Sequence, residues 1–119
     1  MFIIYYDPGC LYSIACLAVL KSRKVSFKKI EYLKEPLTIE ILKGLVKKLK
    51  INPIDLIRKD QSDWKDHYGT LDLTDEEVYH LLMRNAGLMM RPIIVNGNKA
   101  VIGRPPKVLV GFVSEFENL

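Results

Sequence analysis

The chain is poor in the residues that staple small folds covalently or through metals, with two cysteines and two histidines among its 119 residues. That scarcity excludes a disulfide framework. His67 and His80 stand alone, with no ligand partners at metal spacing, so no metal site is expected. No apolar run approaches the ~20 residues needed to span a bilayer, and no membrane partner is expected. The N-terminus carries neither the charged n-region nor the small-residue cleavage site of a signal peptide. Unpaired cysteines without an export signal point to a reducing, cytoplasmic setting. Linkers, low-complexity stretches and repeats are also absent, so a single domain over 1–119 is expected, long enough to bury an ordinary core.

A large excess of either charge is lacking as well, since the net charge is +4. The densest lysine run (Lys43, Lys47, Lys48, Lys50) falls on one predicted helix without interleaved aromatics. It reads as a solvated face and gives no indication of direct nucleic-acid binding. An anionic small molecule would instead call for individually placed arginines.

What the chain does have is a cysteine in a reactive position. Phe2-Ile3-Ile4-Tyr5-Tyr6 is a short strand pattern. Asp7-Pro8-Gly9 turns the chain. An apolar run of helical length, free of Pro and Gly, begins after Cys10. Cys10 thus lies where a strand ends and a helix starts, among free N–H groups at the positive end of the helix dipole. A thiol there tends toward thiolate, the nucleophilic form. Cys16 lies amid apolar residues and reads as core. Helical rise places it about 9 Å from Cys10, beyond the ~7 Å that a disulfide tolerates. Ser13, one turn after Cys10, is either a hydrogen-bond donor to the thiolate or plain helix filler. Tyr5, Tyr6 and Tyr12 flank the turn as packing residues.

Val25 to Tyr32 reads as a second strand, parallel to the first through a right-handed crossover. Thr38 caps a helix through about Leu49, and Asn52-Pro53 opens a short helical turn. Ser62 is placed to cap another short helix through Trp64 and His67. Thr74 and Glu77 form a capping box for a helix to Asn85, with Gly87 as its stop. Ile93-Ile94-Val95 and Lys99-Ala100-Val101-Ile102 flank Asn96-Gly97-Asn98 as a hairpin. Pro105-Pro106 opens a last helix, with Val108, Leu109, Phe112 and Val113 at helical spacing. The order is β-α-β, a helical insert at about 36–87, then β-β-α. That is an α/β, thioredoxin-like plan with a mixed four-stranded sheet.

Three arginines fall at element boundaries: Arg58 after the short helical turn, Arg91 before Pro92, and Arg104 between the hairpin and the last helix. In this plan the loop before Pro92 packs beside the turn carrying Cys10, where guanidinium groups can converge on an oxyanion. Taken singly, a boundary arginine more often only pairs with a helix end, as Arg23 and Arg84 are placed to do. For the Arg91-Pro92 bond, trans is the commoner state in general, and cis is the form associated with tight turns at sites.

Tyr-x-x-Pro-x-Cys at 5–10, Leu-Ile-Arg-Lys at 56–59, Met-Arg-Pro-Ile-Ile-Val at 90–95 and Gly-Arg-Pro-Pro at 103–106 together resemble the ArsC family. That family holds the glutaredoxin-dependent arsenate reductases and relatives such as the transcriptional regulator Spx. The resemblance implies that Cys10 is the nucleophile and that Arg58, Arg91 and Arg104 bind the oxyanion. It further implies a cis-proline at Pro92 and support for the thiolate from Ser13. Glutathione would be the co-substrate, glutaredoxin the resolving partner, and no cofactor would be bound. Where the reductases carry His before the nucleophile this chain has Tyr6, which can donate a hydrogen bond but no charge. Ile14 replaces an Arg, and Leu11-Tyr12 replaces Gly-Thr. Ser13 stands where many Spx proteins have a second switch cysteine. The chain is therefore expected to be a divergent member on the reductase side. The alternatives are a Spx-like regulator binding RNA polymerase and a redox-inert, anion-binding relative.

Overall fold

The computed structural model describes residues 1–117. It contains two compact units: Met1–Glu35 together with the chain from Arg91 onward, and Pro36–Met90. The first unit holds strands β1 (Phe2–Tyr6), β2 (Phe27–Glu31), β3 (Ile93–Asn96) and β4 (Lys99–Ile102), with helices α1 (Leu11–Ser22) and α5 (Lys107–Glu117). The strands form one mixed sheet in the order β2-β1-β3-β4. β1 runs parallel to β2, with Phe2 opposite Phe27, and antiparallel to β3, with Ile4 opposite Ile94. The thioredoxin-like plan read from the sequence is thus present, with its mixed four-stranded sheet.

Alternation along β1 sends Phe2 and Ile4 to one face of the sheet. There they meet Ile94, Cys16 and Leu20 of α1, and Leu109, Phe112 and Val113 of α5 in a single buried cluster. Each fully buried aliphatic side chain of this kind contributes about 1.5–3 kcal/mol. Phe2, Phe112 and Phe116 close the cluster with edge-to-face rings. Val108, expected on the same apolar stripe, is instead largely exposed. It lies in the first turn of α5, where Leu109 already takes the inward position. The hairpin has Asn96 opposite Lys99, and Gly97 holds the positive φ of 63° that its first loop position demands. Arg91-Pro92 and Arg104-Pro105 are cis peptides.

The second unit is helical: α2 (Ile39–Leu49), α3 (Ser62–His67) and α4 (Asp75–Arg84), with 3-10 turns at Pro53–Leu56 and Ala86–Leu88. Thr38 caps α2 by accepting from the Ile41 N–H, and Thr74 with Glu77 completes the capping box of α4. Two boundaries differ from the sequence reading. Ser62 is the first residue of α3, and Gln61 is its cap. Gly87 does not stop α4, because the helix already ends at Asn85, which leaves helical geometry (φ −142°, ψ 71°), and Gly87 belongs to the following 3-10 turn. The segments around residues 57 and 89 are tied by backbone bonds from Arg58 N–H to the Leu88 carbonyl and from Met90 N–H to the Leu56 carbonyl. No described helix is long and apolar enough to cross a membrane.

Candidate active site

β1 delivers the chain into the Asp7-Pro8-Gly9 turn, which Asp7 organises. Its Oδ1 accepts from the Gly9 N–H at 2.9 Å, and its carbonyl accepts from the Cys10 N–H at 3.0 Å. Cys10 then sits at the N-cap of α1 with extended dihedrals (φ −105°, ψ 123°). Its carbonyl accepts the first helical bond, from Ile14 N–H at 3.1 Å. The sulfur therefore faces the amide groups that a helix start leaves free.

As a neutral thiol, Cys10 makes no capping hydrogen bond. As a thiolate it has several partners. Burial of the sulfur opposes ionisation. The amide N–H and hydroxyl of Ser13, the amide N–H of Tyr12 and the positive charge of Arg91 more than offset it, and the pKa falls below the ordinary thiol value. Ser13 is fully buried, and its oxygen also accepts from the Asp7 N–H at 3.2 Å. One hydroxyl thus ties down the turn and is among the groups that favour the ionised sulfur. Cys16 meets the opposite surroundings. It is fully buried, it approaches the Gly103 carbonyl at 3.5 Å, and burial pushes its thiol up to about 11. Both cysteines are free.

Two of the three chosen arginines stand in the unit that carries Cys10. Arg91 places Nη1 3.0 Å from the Tyr32 hydroxyl and Nε 3.2 Å from Asp7 Oδ2. The Arg91 and Asp7 side chains are only 12% and 15% exposed, so this ion pair is largely withdrawn from water. Arg104 donates to the Arg91 carbonyl at 3.4 Å and lays its guanidinium 4.4 Å from the centre of the Tyr12 ring. Pro92 forms one wall of a close approach. A Cβ on Gly103 would lie 3.0 Å from Pro92 Cγ and 2.5 Å from Cys16 Sγ, so only glycine fits there. Arg58 belongs to the helical unit, where Nη1 contacts the Gly87 carbonyl at 3.5 Å. Tyr6 packs against the core cluster, with the Lys29 ammonium 6.0 Å from its ring centre.

The sequence singled out Cys10, Ser13, Arg91 and Arg104 but passed over Asp7 and Tyr32. The available signal was an acidic residue three positions before the cysteine, which read only as a turn former. A separate cleft of about 400 Å³ in the helical unit, lined by Tyr68, Glu77, His80 and Arg84 among others, contains none of these groups. No cluster of three or more His, Cys, Asp or Glu side chains able to hold a metal occurs among the described residues.

A cysteine-bearing turn between the first strand and first helix of a thioredoxin-like sheet defines a class of proteins, and comparison with known proteins narrows it. The sequence profile of the ArsC family matches residues 15–112. The chain is 32% identical over 110 residues to the arsenate reductase of Haemophilus influenzae, covering 91% of this chain and 95% of that one. The solved arsenate reductase from Vibrio cholerae superposes with a TM-score of 0.86 at 28% identity, covering 92% of this chain and 95% of that one. The global transcriptional regulator Spx of Listeria innocua is 23% identical, covering 87% of this chain and 79% of that one. This chain belongs to the ArsC family.

Proposed function

We propose that the protein is a cytoplasmic thiol oxidoreductase of the arsenate-reductase type, with Cys10 as its nucleophile. The observation that carries this reading is the hydrogen-bonded thiolate seat at the cap of α1, where Tyr12, Ser13 and Arg91 favour the ionised sulfur over the neutral thiol. Likeness to the arsenate reductases supports an oxyanion as substrate. In this chemistry the thiolate attacks arsenate, forming a sulfur–arsenic bond, and a protonated oxygen leaves as water. A glutathione thiolate then attacks Cys10 sulfur. The electron pair of the broken bond stays on arsenic, taking it from As(V) to As(III) and leaving a Cys10–glutathione disulfide. A glutaredoxin thiol resolves that disulfide. Arg91 and Arg104 supply positive charge for the anion; an anion role for Arg58 rests on the family resemblance alone.

Glutathione-dependent reduction of arsenate that Cys10→Ser abolishes is the expected result. An inactive wild-type protein beside an active family control would remove the reading. The likeness to Spx supports a second reading, a regulator that binds RNA polymerase. A pull-down with purified polymerase subunits tests it, and no retained subunit would leave it without support.

A further inference from the structure

The site contains an anion of its own. Asp7 divides its carboxylate, with Oδ1 accepting from the Gly9 N–H at 2.9 Å to hold the turn and Oδ2 lying 3.2 Å from Arg91 Nε. Both side chains are mostly shielded, so the pair is weakly screened by solvent. Arg104 is engaged as well, by the Tyr12 ring and the Arg91 carbonyl. With Cys10 ionised, the two positive charges of Arg91 and Arg104 are matched by the two negative charges of Cys10 and Asp7. An incoming oxyanion then adds negative charge beside a carboxylate that already lies against the Arg91 guanidinium. The turn itself does not require that carboxylate charge, since a neutral oxygen satisfies the Gly9 N–H equally well.

We propose that Asp7 is a specificity-determining residue that competes with the substrate for Arg91. Resting on the assignment of Cys10 and Arg91 to an oxyanion site, this makes Asp7 the group that limits affinity for tetrahedral oxyanions. Binding requires Arg91 to exchange its internal carboxylate for the external anion. The exchange costs most for multiply charged anions, which are repelled most strongly by Asp7.

The test is a double-mutant cycle of Asp7→Asn with Arg91→Gln, read as the concentration of arsenate, phosphate or sulfate that protects Cys10 from iodoacetamide. Asp7→Asn keeps an oxygen for the Gly9 N–H and removes the charge. It should tighten anion protection by about fivefold or more, and the gain should vanish in the Arg91→Gln background. Asp7→Ser, which also offers the turn an oxygen acceptor, should repeat the gain if the Asn variant folds poorly. Equal protection in wild type and variant, a gain that persists without Arg91, or no protection in any of the proteins would each overturn the proposal. The Cys10 reaction is judged separately. Cys10-dependent arsenate turnover with equal anion affinities leaves the function standing and removes the role of Asp7. Tighter anion protection in Asp7→Asn without turnover does the reverse.

Discussion

Cys10 and Cys16 are carried by the same helix, one at its cap and one inside it, and their surroundings drive the two thiols in opposite directions. At the cap, unpaired amides, the Ser13 hydroxyl and a guanidinium outweigh the burial of the sulfur. Further along the helix, Cys16 lies in the core cluster with Phe2, Ile4, Ile94 and Leu109, and burial dominates. Cys10 also raises the Cys16 value, since a thiolate at the cap opposes a second negative charge nearby. Residue type alone therefore says little about a thiol's chemistry. Position along the helix decides whether the backbone offers the sulfur hydrogen-bond donors or, as at Cys16, a carbonyl acceptor amid apolar side chains.

Cys10→Ser breaks the contrast most completely. It should lower thiol-dependent turnover by about 10³-fold or more, because the alkoxide it would need is not formed near neutral pH. Turnover of the disabled variant close to wild type would place the nucleophile elsewhere. Gly103→Ala acts on the other cysteine. The added methyl group would collide with Cys16 Sγ and Pro92, and thermal unfolding should show a loss of about 2–3 kcal/mol. Ser13→Ala removes one donor to the thiolate and one acceptor for the Asp7 amide. The Cys10 pKa should rise, and its alkylation at pH 7 should slow by about three- to tenfold. Cys16→Ala has the smallest effect, a loss of about 1 kcal/mol from a small cavity, with the Cys10 alkylation rate unchanged. A slowed Cys10 rate in that variant would show that Cys16 helps to hold the Cys10 thiolate seat.

The features legible in the sequence were local ones. The strand–turn–helix order around Cys10, the caps at Thr38 and Thr74 and the hairpin at Gly97 each depend on residues within a few positions of one another. The hidden features join distant parts of the chain. Asp7 meets Arg91, Tyr12 lies under Arg104, and Gly103 lets Cys16 and Pro92 approach. No periodicity records such pairs. A boundary arginine shows a capacity for binding anions but not the carboxylate or ring it already touches. Gly87 misled for a related reason. Glycine after a helix often ends it, but Asn85 had already done so, and the Gly87 carbonyl serves Arg58.

Cys10 ionises more readily than an ordinary thiol, while Cys16 resists ionisation. The sign of the pH dependence follows from the lowered Cys10 pKa. The thiolate seat adds stability that is fully present above the ordinary thiol pKa and is lost as pH falls through the lower folded value. The most direct measurement is the rate of iodoacetamide labelling against pH in the folded protein, with the Cys10 and Cys16 peptides resolved by mass. The expected result is a Cys10 midpoint clearly below 9.0, the ordinary thiol value, and no Cys16 labelling up to that pH. A Cys10 midpoint at or above the ordinary value, or equal labelling of the two, would contradict it.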